Sequence, residues 1–364
     1  HGEGSIGVVS SKLTLEGPIN KGKTSFIVSG RRTYIDLLAR PIIKAATDGD
    51  DVVGYFFYDF NAKLNHRFSD KDQIYLSFYS GDDKAYNRFR YRYSDSQSSS
   101  ESLERSGLQW GNLISAFRWN RVWNNQLFSN TTLTFSRYRF KVSQEFEDKT
   151  TRNGETDSDY YYTAYNSGIR DFAARIDFEY LPDPNHQIRF GFSGINHSFT
   201  PGVISFRDQD LDTLVGSNDV SANELALYLE DEISLNRRLN VNLGLHFSAF
   251  AVEGEFYTSL QPRISARYLL SPTLSVKASY AEMTQFVHLL TNSGIGLPTD
   301  LWVPATSLIE PQQSQQVALG VARNINDKFE FSLEGYYKKM HNLIEYQEGA
   351  SFFNVDKDWQ TKIE

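Results

Sequence analysis

The sequence predicts an all-β fold, an antiparallel up-and-down transmembrane β-barrel present only in part. Three observations carry that prediction. The first is a two-residue alternation. Leu225, Leu227, Leu229 and Ile233 interleave with Glu224, Ala226, Tyr228 and Glu232. Leu239, Val241, Leu243, Leu245 and Phe247 interleave with Asn240, Asn242, Gly244, His246 and Ser248. Leu274, Val276, Ala278 and Tyr280 repeat the pattern against Ser275, Lys277 and Ser279. Successive side chains of a strand point to opposite faces, so each run has one apolar and one polar face. Such a face suits a sheet over a soluble core or a barrel with lipid outside.

The second observation decides between these. Tight polar turns and long connections alternate in strict phase. The turns stand at Asn20-Lys21-Gly22-Lys23, Ser69-Asp70-Lys71-Asp72, Asn124-Asn125, Pro182-Asp183-Pro184-Asn185, Asn236-Arg237-Arg238, Ser271-Pro272 and Asn324-Ile325-Asn326-Asp327. Between them lie connections near 33–51, 94–106, 148–158, 201–220 and 287–312, with a shorter one near 253–258. Greek-key crossings in a sandwich would break that phase. A membrane barrel keeps it, with plain turns at one end and elaborated loops at the other. The third observation is hydropathy: no apolar run approaches the ~20 residues a membrane helix needs. Barrel strands are only half apolar and escape that test.

Taken along the chain, the elements number roughly fourteen strands, several longer than the ~9–11 residues that cross a bilayer. Aromatics gather where strands leave the apolar band: Tyr55 to Tyr58, Phe89, Tyr91 and Tyr93, Tyr160 to Tyr162, Trp119 and Trp123. Interfacial belts have this composition, although aromatics also favour strands in general. Two connections carry helix signals. Residues 34–41 read as a helical turn ended by Pro41, and 286–290 read similarly. The chain has 364 residues, no cysteine and a net charge of −8. The missing cysteines remove disulfides and thiolate chemistry. No basic stripe marks a nucleic-acid binder. His1 and the strand-like end Thr361-Lys362-Ile363-Glu364 are read as the ends of an internal fragment, so a missing leader is uninformative.

Three patterns resemble chemical motifs. Gly2-Glu3-Gly4-Ser5-Ile6-Gly7 matches a dinucleotide fingerprint, but a strand follows it where a helix is required. Asp208, Asp210 and Asp212 alternate at the mouth of a long connection, as in half of a calcium loop. Thr213 stands where that loop needs glycine, so a solvated acidic loop is the plainer reading. Seven histidines are dispersed without i, i+4 spacing, and His246 follows the polar, lumenal face of its strand. No metal or cofactor is expected.

The segments Ser11-Lys12-Leu13-Thr14-Leu15-Glu16-Gly17-Pro18-Ile19 and Thr24-Ser25-Phe26-Ile27-Val28-Ser29-Gly30-Arg31-Arg32-Thr33-Tyr34 resemble early barrel strands of TonB-dependent receptors of the Bacteroidetes type. Leu260-Gln261-Pro262-Arg263-Ile264 resembles their Pro-Arg strand, and the stretch through Leu301-Trp302-Val303-Pro304 to Glu310-Pro311-Gln312 one of their loops. The resemblance spans nearly the whole chain. It implies a complete barrel of about 22 strands and an N-terminal plug that the energy-transducing TonB complex pulls. Residues 1–364 are then an incomplete barrel domain, without the plug and the final strands. The implied function is active import of a scarce solute (an iron chelate, cobalamin or a glycan) across a Gram-negative outer membrane, with no covalent chemistry. The implied partners are TonB through the plug, the solute, outer-membrane lipid and a surface lipoprotein, with no nucleic acid. Candidate solute contacts are the loop aromatics Trp302, Tyr160, Tyr161 and Phe206, with mutual packing as the alternative. A passive porin uses the same strands without a plug and stays open at this point. A barrel enzyme ranks last, since no nucleophile signature is present.

Overall fold

A computed structural model describes residues 1–20, 22–47, 51–95, 98–208, 212–216, 219–290, 301–325 and 328–345. The strands in chain order begin with β1 (Gly2–Ile6), β2 (Ser10–Asn20) and β3 (Thr24–Thr33), before helix α1 (Ile35–Ala46). Then come β4 (Val52–Arg67), β5 (Asp72–Ser94), β6 (Ser98–Val122), β7 (Leu127–Arg152), β8 (Glu155–Asp183), β9 (His186–Asp208) and β10 (Asp212–Gly216). The remainder are β11 (Val220–Ser234), β12 (Leu239–Val252), β13 (Glu255–Ser271), β14 (Leu274–Gln285), β15 (Val287–Leu290), β16 (Leu301–Pro304), β17 (Gln312–Ile325) and β18 (Phe329–His341). Every pairing among the described residues is antiparallel, and sixteen strands form one sheet in which successive strands are neighbours, except that β10 pairs only with β9 and β14 pairs with β17. This is the up-and-down meander expected. The count exceeds the expected fourteen because the five-residue β1 and β10 are too short to display an alternation.

Register sets the two faces. Leu225 lies opposite Gly194 and Ala249, and Leu227 opposite Phe192 and Phe247. Leu229 lies opposite Phe190 and Leu245. This row is exposed, with Leu225 at 50% and Leu243 at 45%, as lipid-facing positions of a barrel are. The opposite face is polar and cross-linked. Asn242 Nδ2 donates to Glu230 Oε1 at 3.0 Å, and Tyr228 Oη donates to Asp177 Oδ1 at 2.6 Å. Near the tight turns, Trp119 Nε1 donates to Asp72 at 3.2 Å, and the Arg121 guanidinium lies 4.3 Å from the Trp123 ring centre. That is an interfacial belt.

Along the path of the sheet, β1 is paired to β2 and β18 to β17, and the two ends are not joined to each other among the described residues. Among the described residues the sheet is therefore open along both outer edges. The central strands are long: β5 to β9 run 23, 25, 26, 29 and 23 residues. Crossing a bilayer takes ~9–11, so these strands project well beyond it on the side opposite the tight turns.

Three local expectations need correction. Much of the connections near 94–106, 148–158 and 201–220 is strand. Asn153 and Gly154, at φ 54° and 86°, close β7 and β8 with the left-handed pair of a tight hairpin turn. Helix α1 also continues through Pro41. The proline removes one amide donor, yet the helix packs on β4, and the Thr47 hydroxyl caps the Ile43 carbonyl at 2.9 Å. Finally, 287–290 form β15, paired with β16, and not a helix. Burial against the inner wall overrides local propensity there.

Candidate functional site

Residues 286–290 and 301–311, the described parts of the connection from β14 to β17, fold back into the concavity and lie across the inner wall as a strap. Its β15–β16 hairpin packs near β8 and β9. Register explains why the wall receives it. Phe140, Tyr165, Phe199, Ala222, Phe250 and Val252 are inward positions of β7, β8, β9, β11 and β12, and all are buried. They stand partway along the long strands β7, β8 and β9 and at the outer ends of β11 and β12, above the polar lumenal network. Against them pack Phe286, Leu290, Leu301, Val303, Ala305 and Ile309 of the strap. The Phe250 and Phe286 rings stack 5.0 Å apart, with 1° between their planes. Removing such apolar area from water stabilises by about 25 cal/mol per Å², which accounts for a long connection settling inside.

Polar contacts then pin the strap. Tyr257 Oη donates to the Thr306 carbonyl at 2.7 Å, and Ala305 N donates to the Phe286 carbonyl at 2.7 Å. Asn342 Nδ2 donates to Glu310 and to the Pro311 carbonyl, at 3.0 and 3.1 Å. His288 shares its face of the hairpin with Leu290 and Val303 and is fully buried. Neither ring nitrogen has a bonding partner among the described residues. Burial pushes its imidazole down to about 4, outweighing the Gln312 side chain, which acts in the opposite direction.

The sequence candidates are distributed unevenly around this strap. Trp302 lies on it, half-buried, opposite Leu289 in the hairpin and on the face turned away from His288. Tyr160 and Tyr161 are consecutive on β8 and so take opposite faces. Tyr161 shares the inward face with Phe146, ring centres 6.3 Å apart, while Tyr160 continues the outward face opposite Glu147. Only one of these two tyrosines can line a lumenal site. The backbone of Phe206 pairs with Thr163 and Thr213. Asp208 and Asp212 belong to the paired β9 and β10, while Asp210 lies outside the described residues. Among the described residues no group of three or more histidine or acidic side chains is placed to hold a metal ion.

A further inward group was missed from sequence. His197 of β9 is buried between Asp171 of β8 and Glu224 of β11. Its Nδ1 is 2.8 Å from Asp171 Oδ1 and its Nε2 3.7 Å from Glu224 Oε2. Each residue occupies an inward slot of its own strand, so the signal was parity. The encounter itself is set by register over separations of 26 and 27 positions. His246 is inward, as expected, lying opposite Tyr228.

A family model described as TonB dependent receptor-like, beta-barrel, matches residues 38–362. No curated protein matches. Among solved structures, the ferric yersiniabactin uptake receptor of Yersinia pestis is similar at 14% identity and a TM-score of 0.57, over 91% of this chain and 52% of that one. A ferric enterobactin receptor of Pseudomonas aeruginosa is similar at 15% identity and TM-score 0.56, over 92% and 51%. A ferric-catecholate import receptor of E. coli is similar at 12% identity and TM-score 0.56, over 94% and 57%. The chain thus spans about half the length of these structures.

Proposed function

The chain belongs to the TonB-dependent receptor-like β-barrel family, whose members are Gram-negative outer-membrane proteins, and from that premise we propose that it walls part of an active importer for an iron chelate. The observation that carries this reading is the strap. It covers the inner wall with apolar packing and carries Trp302, half-buried, on the face turned away from His288. Below it the wall is polar, with a cavity of about 430 Å³ lined in part by Glu232, Arg267 and Lys277. A captured solute would meet Trp302 and Tyr161 first, then a hydrophilic passage.

In this reading the wall and strap bind and gate, and the energy comes from the TonB complex through a plug domain. A surface lipoprotein partner is carried over from the family resemblance. An iron chelate is favoured over cobalamin or a glycan because the similar structures named above are ferric receptors. The test is uptake of a panel of iron-labelled chelates by cells making the intact receptor, with and without the inner-membrane proton gradient. Accumulation should stop when the gradient is collapsed. Undiminished accumulation would overturn the active reading in favour of a passive channel. A panel with no chelate bound would overturn the substrate class.

A further inference from the structure

We propose that the outward face of β7 and β8 carries a binding site for the phosphate of an outer-leaflet glycolipid. It rests on the outer-membrane placement of the chain and is independent of what the lumen transports. Arg137, Arg139 and Lys141 occupy successive outward positions of β7, and Arg170 occupies the matching position of β8. With Asp219 they line a groove of about 350 Å³. Its floor is Gly168, opposite Arg139. A Cβ there would come within 2.5 Å of the Tyr138 carbonyl, so no side chain divides the cations.

Height places the groove. Arg137 lies ten residues from the tight-turn end of β7, about 33 Å along the strand at ~3.3 Å per residue. With a tilt near 40° that is roughly 25 Å of depth, the height of a barrel's apolar band. The side chains confirm it. Directly below, Phe135 and Phe172 face outward with ring centres 4.8 Å apart, Phe172 being 56% exposed. The cations therefore begin where the apolar band stops, at the level of lipid headgroups.

The charges are unbalanced. Arg137 and Arg170 are directly paired in the ladder, and like charges so placed repel. Arg137 has no hydrogen bond or ion pair among the described residues, and Arg170 has only the Ser198 hydroxyl at 3.3 Å. Lys141 has only the Tyr162 ring, at 5.8 Å. Arg139 is neutralised by Asp82, and Asp219 accepts a bond from Thr200 at 2.8 Å. A phosphate between Arg137 and Arg170 would relieve the repulsion and gain charge-assisted, forked hydrogen bonds. Its acyl chains would lie on the aromatic row beneath.

The test uses the intact receptor in vesicles of neutral phospholipid. Bis-phosphorylated lipid A and its dephosphorylated form are offered as probes, and the amount retained after washing is read by mass spectrometry. The phosphorylated form should be retained preferentially. At about 1 kcal/mol per cation, or about fivefold, Arg137→Gln with Arg170→Gln should cut that preference roughly thirtyfold. Equal retention of the two probes by the unmodified receptor would overturn the proposal without any variant. An unchanged preference in a variant that still shifts its electrophoretic mobility on heating would overturn it too. Inorganic phosphate binding as tightly as the lipid-borne group would mark a free-anion site and overturn the lipid assignment. Each outcome is read without measuring uptake, so failure of the import reading stays separate.

Discussion

At the scale of single residues, the most consequential group is His288. It is fully buried, and burial pushes its imidazole down to about 4 from an ordinary 6.5, against the opposing Gln312 side chain. The neutral ring belongs to the packed strap, whereas a released strap takes a proton at the ordinary value. Packing is therefore undiminished above about 6.5 and weakens as pH falls from there towards 4, by on the order of 3 kcal/mol. Hydrogen exchange of the strap amides in the intact receptor, followed from pH 7 to 4.5, should accelerate. His288→Leu should flatten the profile. Flat exchange in the unmodified protein would rule out a titrating His288. Nothing local distinguishes this histidine from the other six in the sequence. Its chemistry comes from Val303 and the inner wall, which sequence spacing does not bring together.

At the scale of elements, the strap and the ladder are held by different forces. The ladder is backbone hydrogen bonding over long registered strands, while the strap is seated by side-chain packing and a few pins such as Tyr257 to Thr306. They should come apart separately. Phe286→Ala removes the ring stacked on Phe250 and should cost about 3–5 kcal/mol at that site. Limited proteolysis of the intact receptor should then cut the strap faster, with the barrel's heat-modified mobility unchanged. Loss of both together would mean that the strap is integral to the wall. The hairpin β15–β16 also shows where sequence reading reached its limit. A helix was expected at 286–290, because a four-residue strand offers too few positions to reveal its period. Helix α1 was found where expected but overran Pro41, because its end is fixed by packing and the Thr47 cap.

At the scale of the whole molecule, the sheet separates lipid from lumen by parity alone. Leu243 faces outward near mid-depth and Ser279 faces the inner cavity. In the intact receptor folded into lipid, Leu243→Arg should cost ~2–4 kcal/mol, while Ser279→Arg, with a polar cavity to enter, should cost far less. Equilibrium unfolding in urea measures both. Equal losses would show that the two faces are not differently solvated. The open edges β1 and β18 belong to this scale too. Among the described residues their outer backbone groups are unpaired, and lipid cannot satisfy such groups; the wall spans about half of the similar structures.

The alternation at Leu225 to Leu229 and Leu239 to Phe247 determined the strand class and the two faces. Those properties follow from the geometry of one strand, in which every second side chain shares a face. The phase of turns such as Asn236-Arg237-Arg238 determined the meander, because turn residues act over a few positions. Tertiary structure alone decided where the strap residues 286–290 and 301–309 settle, since their partners Phe140 and Phe199 are distant in sequence and no period records them. It alone brought His197 between Asp171 and Glu224, and Arg137 beside Arg170. Those meetings depend on the register of neighbouring strands, and register is the sum of every turn and bulge between them.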